Sequence, residues 1–413
     1  MKNILLVTEI FPPFPGIGGR RWAKFVKHFS KLNLNVDVVS AIYNEHSAKK
    51  SIWTSDVRGL KNFSHHQIPL HYPAVLNDVP VTIFHKIKYR VALQFVKLFS
   101  KGNYYDRTMF WQTNYQNLVE KIIIEKSIDT IIATVAPLNL AFQLIPLKAK
   151  YPQIKFIVDF RDPWALGNLF GFPFKKKRQF HEIEKEKAVC NSFDLVTFPN
   201  YEMKEKCKLS YGLPNNKLYI LEHAFDEDDF PNFEIANRNE NNEIVFLGTI
   251  YDGLQEHFQQ ILNVLQSFPA IKLKLYASNK NANKFHFSLP PNASFQNELP
   301  PRVLFATISQ SKFILIAYTP KQKDLIATKF YEIIALRIPI LYIGFDGIVA
   351  DFIIQNKLGI YIHSNDISSA LPNVLSGKVK CDYNFNFDVS KFSFQFISKK
   401  FIEKVESITE NVN

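Results

Sequence analysis

Apolar positions along this 413-residue chain fall into two kinds of run, and the two kinds alternate. Short continuous runs at 3–8, 36–40, 128–133, 155–160 and 195–198 read as strands buried on both faces. Between the first two, Trp22, Phe25, Val26 and Phe29 recur at helical spacing within 22–31. A second helix is expected over 138–150, where Pro146 should kink or shorten it. The order strand, loop, helix, strand is what a parallel, doubly wound sheet requires.

The pattern then restarts. Strands are expected at 243–248, 272–277, 313–317 and 339–343, and helices at 251–267, 300–309, 328–336 and 348–355. A last amphipathic helix is expected over 393–408. The two series meet near 225–242, a polar junction with Asp226, Glu227, Asp228 and Asp229 followed by asparagines, as a linker would be. The predicted organisation is α/β: residues 1–225 as one Rossmann-like domain, 226–392 as a second, and 393–413 as a helix returning to the first, with the two domains facing across a cleft.

The segment 81–101 departs from this alternation. Its apolar residues (Ile83, Phe84, Ile87, Tyr89, Val91, Ala92, Phe95, Val96, Phe99) mix with Lys86, Lys88, Arg90, Lys97 and Lys101. Two readings stand: a basic helix lying on an anionic membrane surface, or a helix packed on its own domain with a solvated basic face.

Composition narrows the classes. Apolar residues make up 46% and charged residues 21%, which describes a folded globular chain. No apolar run approaches the ~20 residues of a membrane-spanning helix. The opening run ends in Thr8-Glu9 without a small-residue cleavage site, so a buried strand is expected there rather than a leader. Cys190, Cys207 and Cys381 have neither metal-ligand nor redox spacing, which fits free thiols in the cytoplasm. A net charge of +12 favours anionic partners or a solubilising surface. The basic residues are scattered apart from Lys175-Lys176-Lys177-Arg178, and no nucleic-acid reader motif is present, so nucleic acid is not an expected partner.

Three constellations carry candidate chemistry. The first is the loop from Phe11 to Trp22, with Gly16, Gly18, Gly19, Arg20 and Arg21 between a strand and a helix. Glycines admit a ligand close to the backbone, and a helix start offers free N–H groups to an anion. An ordinary turn uses the same residues, and the spacing is not that of a dinucleotide fingerprint. The second is Asp159-Phe160-Arg161-Asp162-Pro163-Trp164, at the end of a strand. These are either groups facing a ligand or a structural Asp–Arg pair with a helix cap. The third is Asp324 and Glu332, eight positions apart, with a helix starting near Ala327, Thr328 and Lys329 between them. Its alternatives are an anion-binding helix start flanked by two acids, or a capped surface helix. The histidines His65, His66, His71 and His223 have no partner visible in the sequence.

Together with Phe246–Tyr251 and the run Lys329–Ala335 before Pro339-Ile340-Leu341, these segments resemble GT-B glycosyltransferases of the retaining family four type. The resemblance implies two Rossmann-like domains, a nucleotide-diphosphate sugar held mainly by the second and an acceptor held mainly by the first. It puts Glu332 on the donor ribose and Asp324, where the family usually has Glu, on the donor sugar. Gly18, Gly19 and Gly248 then approach the donor phosphates, together with Ala327 and Thr328. The family's usual Arg and Lys after Gly248 are replaced by Thr249 to Gly253, so Lys329, Arg20 and Arg21 are the candidate phosphate cations. Asp162 is the candidate for orienting the acceptor hydroxyl, with Arg161, Asp159 and His223 on the acceptor side. No metal and no separate cofactor are expected, because Asp226–Asp229 reads as a solvated linker. The acceptor implied is a glycan or a lipid-linked glycan in surface-polysaccharide synthesis, at the inner face of a membrane. A sugar-nucleotide epimerase or hydrolase, and a non-catalytic scaffold of the same fold, are the competing readings.

Overall fold

The computed structural model describes residues 2–14, 17–42, 51–77, 80–166, 176–230, 241–277, 288–297, 299–323 and 326–408. The chain forms two compact units, one of Met1–Glu222 with Phe394–Asn413, the other of His223–Ser393.

Unit 1 is built on a parallel seven-stranded sheet. Its strands are β1 (Asn3–Val7), β2 (Asn35–Ala41), β3 (Phe63–Ile68), β4 (Thr130–Val135), β5 (Lys155–Phe160), β6 (Leu195–Phe198) and β7 (Leu218–Ile220). The spatial order is β3-β2-β1-β4-β5-β6-β7. The central strands are buried almost throughout and mostly apolar because helices cover both faces, leaving no solvated side to alternate. Among the helices of eight residues or more are α1 (Arg20–Lys31), α2 (Ile83–Phe99), α3 (Gln112–Lys126), α4 (Lys176–Ser192) and α5 (Tyr201–Tyr211). The expected helix over 138–150 is broken into Asn139–Phe142 and Ile145–Lys150, with Pro146 in the first turn of the second, where its missing N–H costs nothing.

Unit 2 repeats the plan with six parallel strands. They are β8 (Asn241–Leu247), β9 (Lys272–Tyr276), β10 (Ala293–Phe295), β11 (Ser311–Ala317), β12 (Ile340–Gly344) and β13 (Gly359–His363), in the order β10-β9-β8-β11-β12-β13. Its helices include α6 (Gln255–Leu265), α7 (Pro301–Ile308), α8 (Thr328–Ala335), α9 (Ile348–Gln355) and α10 (Ile367–Leu375). The two ends of the unit are pinned side by side: the Phe225 N–H donates to the Phe392 carbonyl at 3.1 Å.

The last helix, α11 (Phe394–Glu406), belongs to unit 1. It buries Phe394, Ile397, Phe401 and Val405, and Phe401 lies among the rings of Trp22, Phe25, Phe29 and Tyr219.

Two departures from the sequence reading have physical causes. Helix α4 has no counterpart in the sequence reading, because its inward face carries two acids, Glu182 and Glu186, beside Val189 and Cys190 and so shows no clean apolar stripe. Asp226 is not part of a solvated linker. It is fully buried, and its carboxylate accepts from the Asp228 N–H to cap a 3-10 turn over Glu227–Asp229. Residues 231–240 lie outside the described ones.

Candidate functional site

In each sheet the first strand has its sequence neighbours on one side and a later strand on the other. The chain reverses its winding between β1 and β4 in unit 1, and between β8 and β11 in unit 2. Ligands of open α/β sheets gather outside the carboxyl ends of strands at such switch points.

At the unit 1 switch point the chain leaves β1 through Thr8 and Glu9 and enters α1 by a 3-10 turn over Ile17–Gly19. Gly18 has a close neighbour just past β5: a Cβ there would lie 2.5 Å from Arg161 Nη1, which donates to the Gly18 carbonyl at 2.8 Å. The Arg161 Nε also donates to Asp162 at 3.0 Å, so Arg161 ties the glycine loop to Asp162. Asp162 remains one-third exposed.

The arginines that follow the glycines turn inward. Arg21 donates to Asp159 from Nε (3.0 Å) and Nη2 (3.1 Å), and to the carbonyls of Glu222 (2.8 Å) and Leu221 (2.6 Å). Asp159 also accepts from Trp22 Nε1 at 3.0 Å and Thr197 Oγ1 at 2.7 Å. Arg20 is buried, with its guanidinium 5.3 Å from the Trp53 ring centre and 5.7 Å from that of Phe394. These placements correct the expectation that Arg20 and Arg21 neutralise a diphosphate and that Asp159 faces an acceptor. Each is committed to holding α1 against the sheet, α11 or the Trp53 loop.

The sequence reading missed Glu9 and Arg107. Glu9 is buried at the end of β1 and forms an ion pair with Arg107. Burial pushes its carboxyl up to about 7 against the pull of Arg107, with Asp106 adding to the rise and Arg161 opposing it. Asp106 itself is fully occupied, accepting from Thr108 N and Oγ1 and from the Asn139 N–H at 2.9 Å, just after β4. Nothing in local spacing links residues 9 and 107; position directly after a first strand is the signal that could have marked Glu9.

At the unit 2 switch point, Gly248 follows β8 with φ +133°, a conformation that favours glycine. The Lys329 Nζ lies 3.5 Å from where a Gly248 Cβ would be. Lys329 is in the first turn of α8, whose N-cap, Ala327, supplies no capping side chain. Burial pushes the hydroxyl of Tyr318, just past β11, up to about 12, with the nearby Ala327 backbone opposing the rise, so it keeps its proton at neutral pH. Gly253 brings the loop after β8 against Thr319, 3.4 Å from the added Cβ to the Thr319 Cγ2. Thr328 is half-buried, and Glu332, one turn further along the same helix, is buried. The helix thus starts where the sequence places it, and Gly248, Lys329, Ala327 and Tyr318 come together at its head. Asp324 lies outside the described residues, and His223 is half-buried as the first residue of unit 2.

No protein-family model matches this sequence, and no curated protein does. Solved structures match along the full chain. A glycosyltransferase from Rickettsia africae ESF-5 is 14% identical, with 99% of each chain covered and a TM-score of 0.62. The apo form of the lipopolysaccharide outer core galactosyltransferase WaaB is 13% identical, covering 99% of this chain and 100% of that one, with a TM-score of 0.59. A putative UDP-N-acetylglucosamine 2-epimerase from Listeria monocytogenes is 11% identical, covering 100% and 98%, with a TM-score of 0.56. At such identities the likeness is one of fold. It defines the class: an α/β chain of two Rossmann-like units, the GT-B architecture, which hosts more than one chemistry.

Proposed function

We propose that the protein is a glycosyltransferase that moves a sugar from a nucleotide-diphosphate sugar to a glycan or lipid-linked acceptor. Unit 2 grips the donor and unit 1 the acceptor. The observation that carries this reading is the meeting of Gly248, Lys329 and the start of α8 at the switch point of the second sheet. A bare glycine lets phosphate approach the backbone, the helix start offers N–H groups, and the lysine brings a full positive charge.

When the bond between the anomeric carbon and the leaving phosphate breaks, charge grows on the diphosphate. Preorganised donors at that point lower the barrier. With Arg20 and Arg21 committed elsewhere, Lys329 is the cation we assign to this role. Glu332 holds the donor ribose, Asp324 the donor sugar, and Asp162, steadied by Arg161, orients the acceptor hydroxyl. Retention of configuration, independence of metal and a place in surface-polysaccharide synthesis at the cytoplasmic face of a membrane belong to the same proposal.

A panel of UDP-, GDP- and ADP-sugars screened by thermal shift tests it. At least one sugar nucleotide is expected to stabilise the protein, and Lys329→Ala and Glu332→Ala to lose that shift. A panel without any shift, or variants that shift like the parent, would sink the reading. Activity abolished by EDTA and restored by Mn²⁺ would overturn metal independence. The fold likeness to an epimerase supports a second reading. Incubation with donor alone separates the two, because an epimerase converts the sugar nucleotide without an acceptor.

A further inference from the structure

Helix α2 presents its apolar side to solvent. Val96 is fully buried, and Leu93 packs beside it against Tyr72 and Tyr104. The opposite side carries Phe84, Ile87, Val91, Phe95 and Leu98 at three- and four-residue spacing, so they form one stripe. Phe84 is 80% exposed, Val91 66% and Leu98 81%. Lys88 and Arg90 flank the stripe, and no acidic residue occurs between positions 81 and 101.

The helix is nevertheless firmly held. The Thr82 hydroxyl accepts from the His85 N–H at its start. At its end Arg178 donates to the carbonyls of Lys97 (2.9 Å), Ser100 (2.5 Å) and Gly102 (2.9 Å). Arg178 is therefore a brace and not a free cation of the 175–178 run. It stands in the first turn of α4, whose Glu182 accepts from the Asn103 N–H (2.9 Å) and from Trp164 Nε1 (2.7 Å). The Glu186 carboxylate accepts from the Ala165 N–H at 2.6 Å. One helix thus fixes both α2 and the loop that follows β5.

We propose that the outer face of α2 inserts into an anionic lipid surface, with Phe84, Ile87, Val91, Phe95 and Leu98 among the acyl chains and the flanking Lys88 and Arg90 on the headgroups. Charge selects this occupant. A second copy of the same face would bring like charges together, whereas an anionic interface satisfies the stripe and its rim at once. The rigid brace through α4 then sets the post-β5 loop at a fixed height above that surface. The proposal stands on α2 and not on the donor reading, and vesicle binding measured without nucleotide separates failure of one from failure of the other.

The test is co-sedimentation of the full chain with vesicles of phosphatidylcholine, alone or mixed with phosphatidylglycerol. The parent is expected to bind the mixed vesicles at low salt and to release them at high salt. Combining Phe84→Ser, Val91→Ser and Leu98→Ser is expected to lower the partition constant at least ~100-fold. Combining Lys88→Gln and Arg90→Gln is expected to erase most of the preference for the mixed vesicles. Both variants should melt with the parent, since the replaced groups are exposed. No binding by the parent, or parent-like binding by the serine variant, overturns the proposal. So does self-association of the parent that the serine changes abolish while vesicles go unbound.

Discussion

Asp159 receives four hydrogen bonds in a fully buried position, two of them from a guanidinium equally cut off from water. Removing the acid leaves Arg21 charged, buried and short of its partner. Asp159→Ala should therefore cost about 3–5 kcal/mol. Adding Arg21→Met should cost much less than a further loss of that size, because the stranded charge goes with it. Urea unfolding of the two single variants and the double one checks this, and an Asp159→Ala protein as stable as the parent would refute the anchoring role. Glu9 gives a second prediction. Its carboxyl titrates near 7 in the folded chain against an ordinary 4.5, so across that window the folded state holds more protons than the unfolded one. This group's contribution therefore makes unfolding free energy fall as pH rises through the window. Glu9→Gln should remove about 3 kcal/mol of that decline. Glu186, pushed up to about 7 mainly by burial, adds a decline of its own that Glu9→Gln leaves in place. Parallel pH profiles for parent and Glu9→Gln would show that Glu9 is not the group titrating. The sequence could not reveal either role. Whether an arginine after a glycine loop faces a ligand or a buried acid depends on Asp159, 138 positions away.

At the scale of elements, legibility followed burial. Strands covered on both faces stood out as apolar runs: β1, β2, β4, β5, β6, β8, β9, β11 and β12 all overlap the runs read from sequence. The edge strands β3, β7, β10 and β13 did not. β3 is Phe-Ser-His-His-Gln-Ile with Ile68 alone among its residues buried, because an edge position leaves little surface to cover. Its two histidines answer to β2: His65 Nε2 lies 2.8 Å from Ser40 Oγ and His66 Nε2 lies 2.8 Å from Asp37, pairings that only the β2–β3 register creates. The start of α8 was legible because the chain breaks from loop to apolar periodicity there, yet its partner Tyr318 was not. That junction supplies the third prediction. Gly248 sits at φ +133°, and the nearest atom to an added Cβ, Lys329 Nζ, lies at an ordinary 3.5 Å. The cost of Gly248→Ala is then backbone strain, about 1–3 kcal/mol, and not a clash. Thermal melting should fall accordingly, and the donor-induced shift should shrink as the strand end moves under Lys329. An unchanged melting temperature would mean that the strand end relaxes freely.

For the molecule as a whole, the chain leaves unit 1 after Glu222, builds unit 2, and returns with Phe394. Unit 1 therefore includes α11 as well as the residues that precede unit 2. Leu5, Val39, Ile131 and Phe156 lie in the core of unit 1, and Phe246, Leu273, Leu315 and Leu341 in the core of unit 2. A chain of two compact units is expected to melt in two cooperative transitions. α11 decides which of them the C-terminus controls. Phe401 is fully buried, with ring centres of Trp22, Phe25, Phe29 and Tyr219 6.2 to 6.4 Å away. Phe401→Ala opens a cavity among those rings and should destabilise unit 1 by about 3–5 kcal/mol. Differential scanning calorimetry should then show one transition moving down while the other, belonging to His223–Ser393, stays in place. The stationary transition should be the one that a donor nucleotide raises, since Gly248, Lys329 and Glu332 all lie within unit 2. If donor instead raised the transition that Phe401→Ala lowers, the nucleotide would be bound by unit 1, and the assignment of donor chemistry to the head of α8 would fall with it.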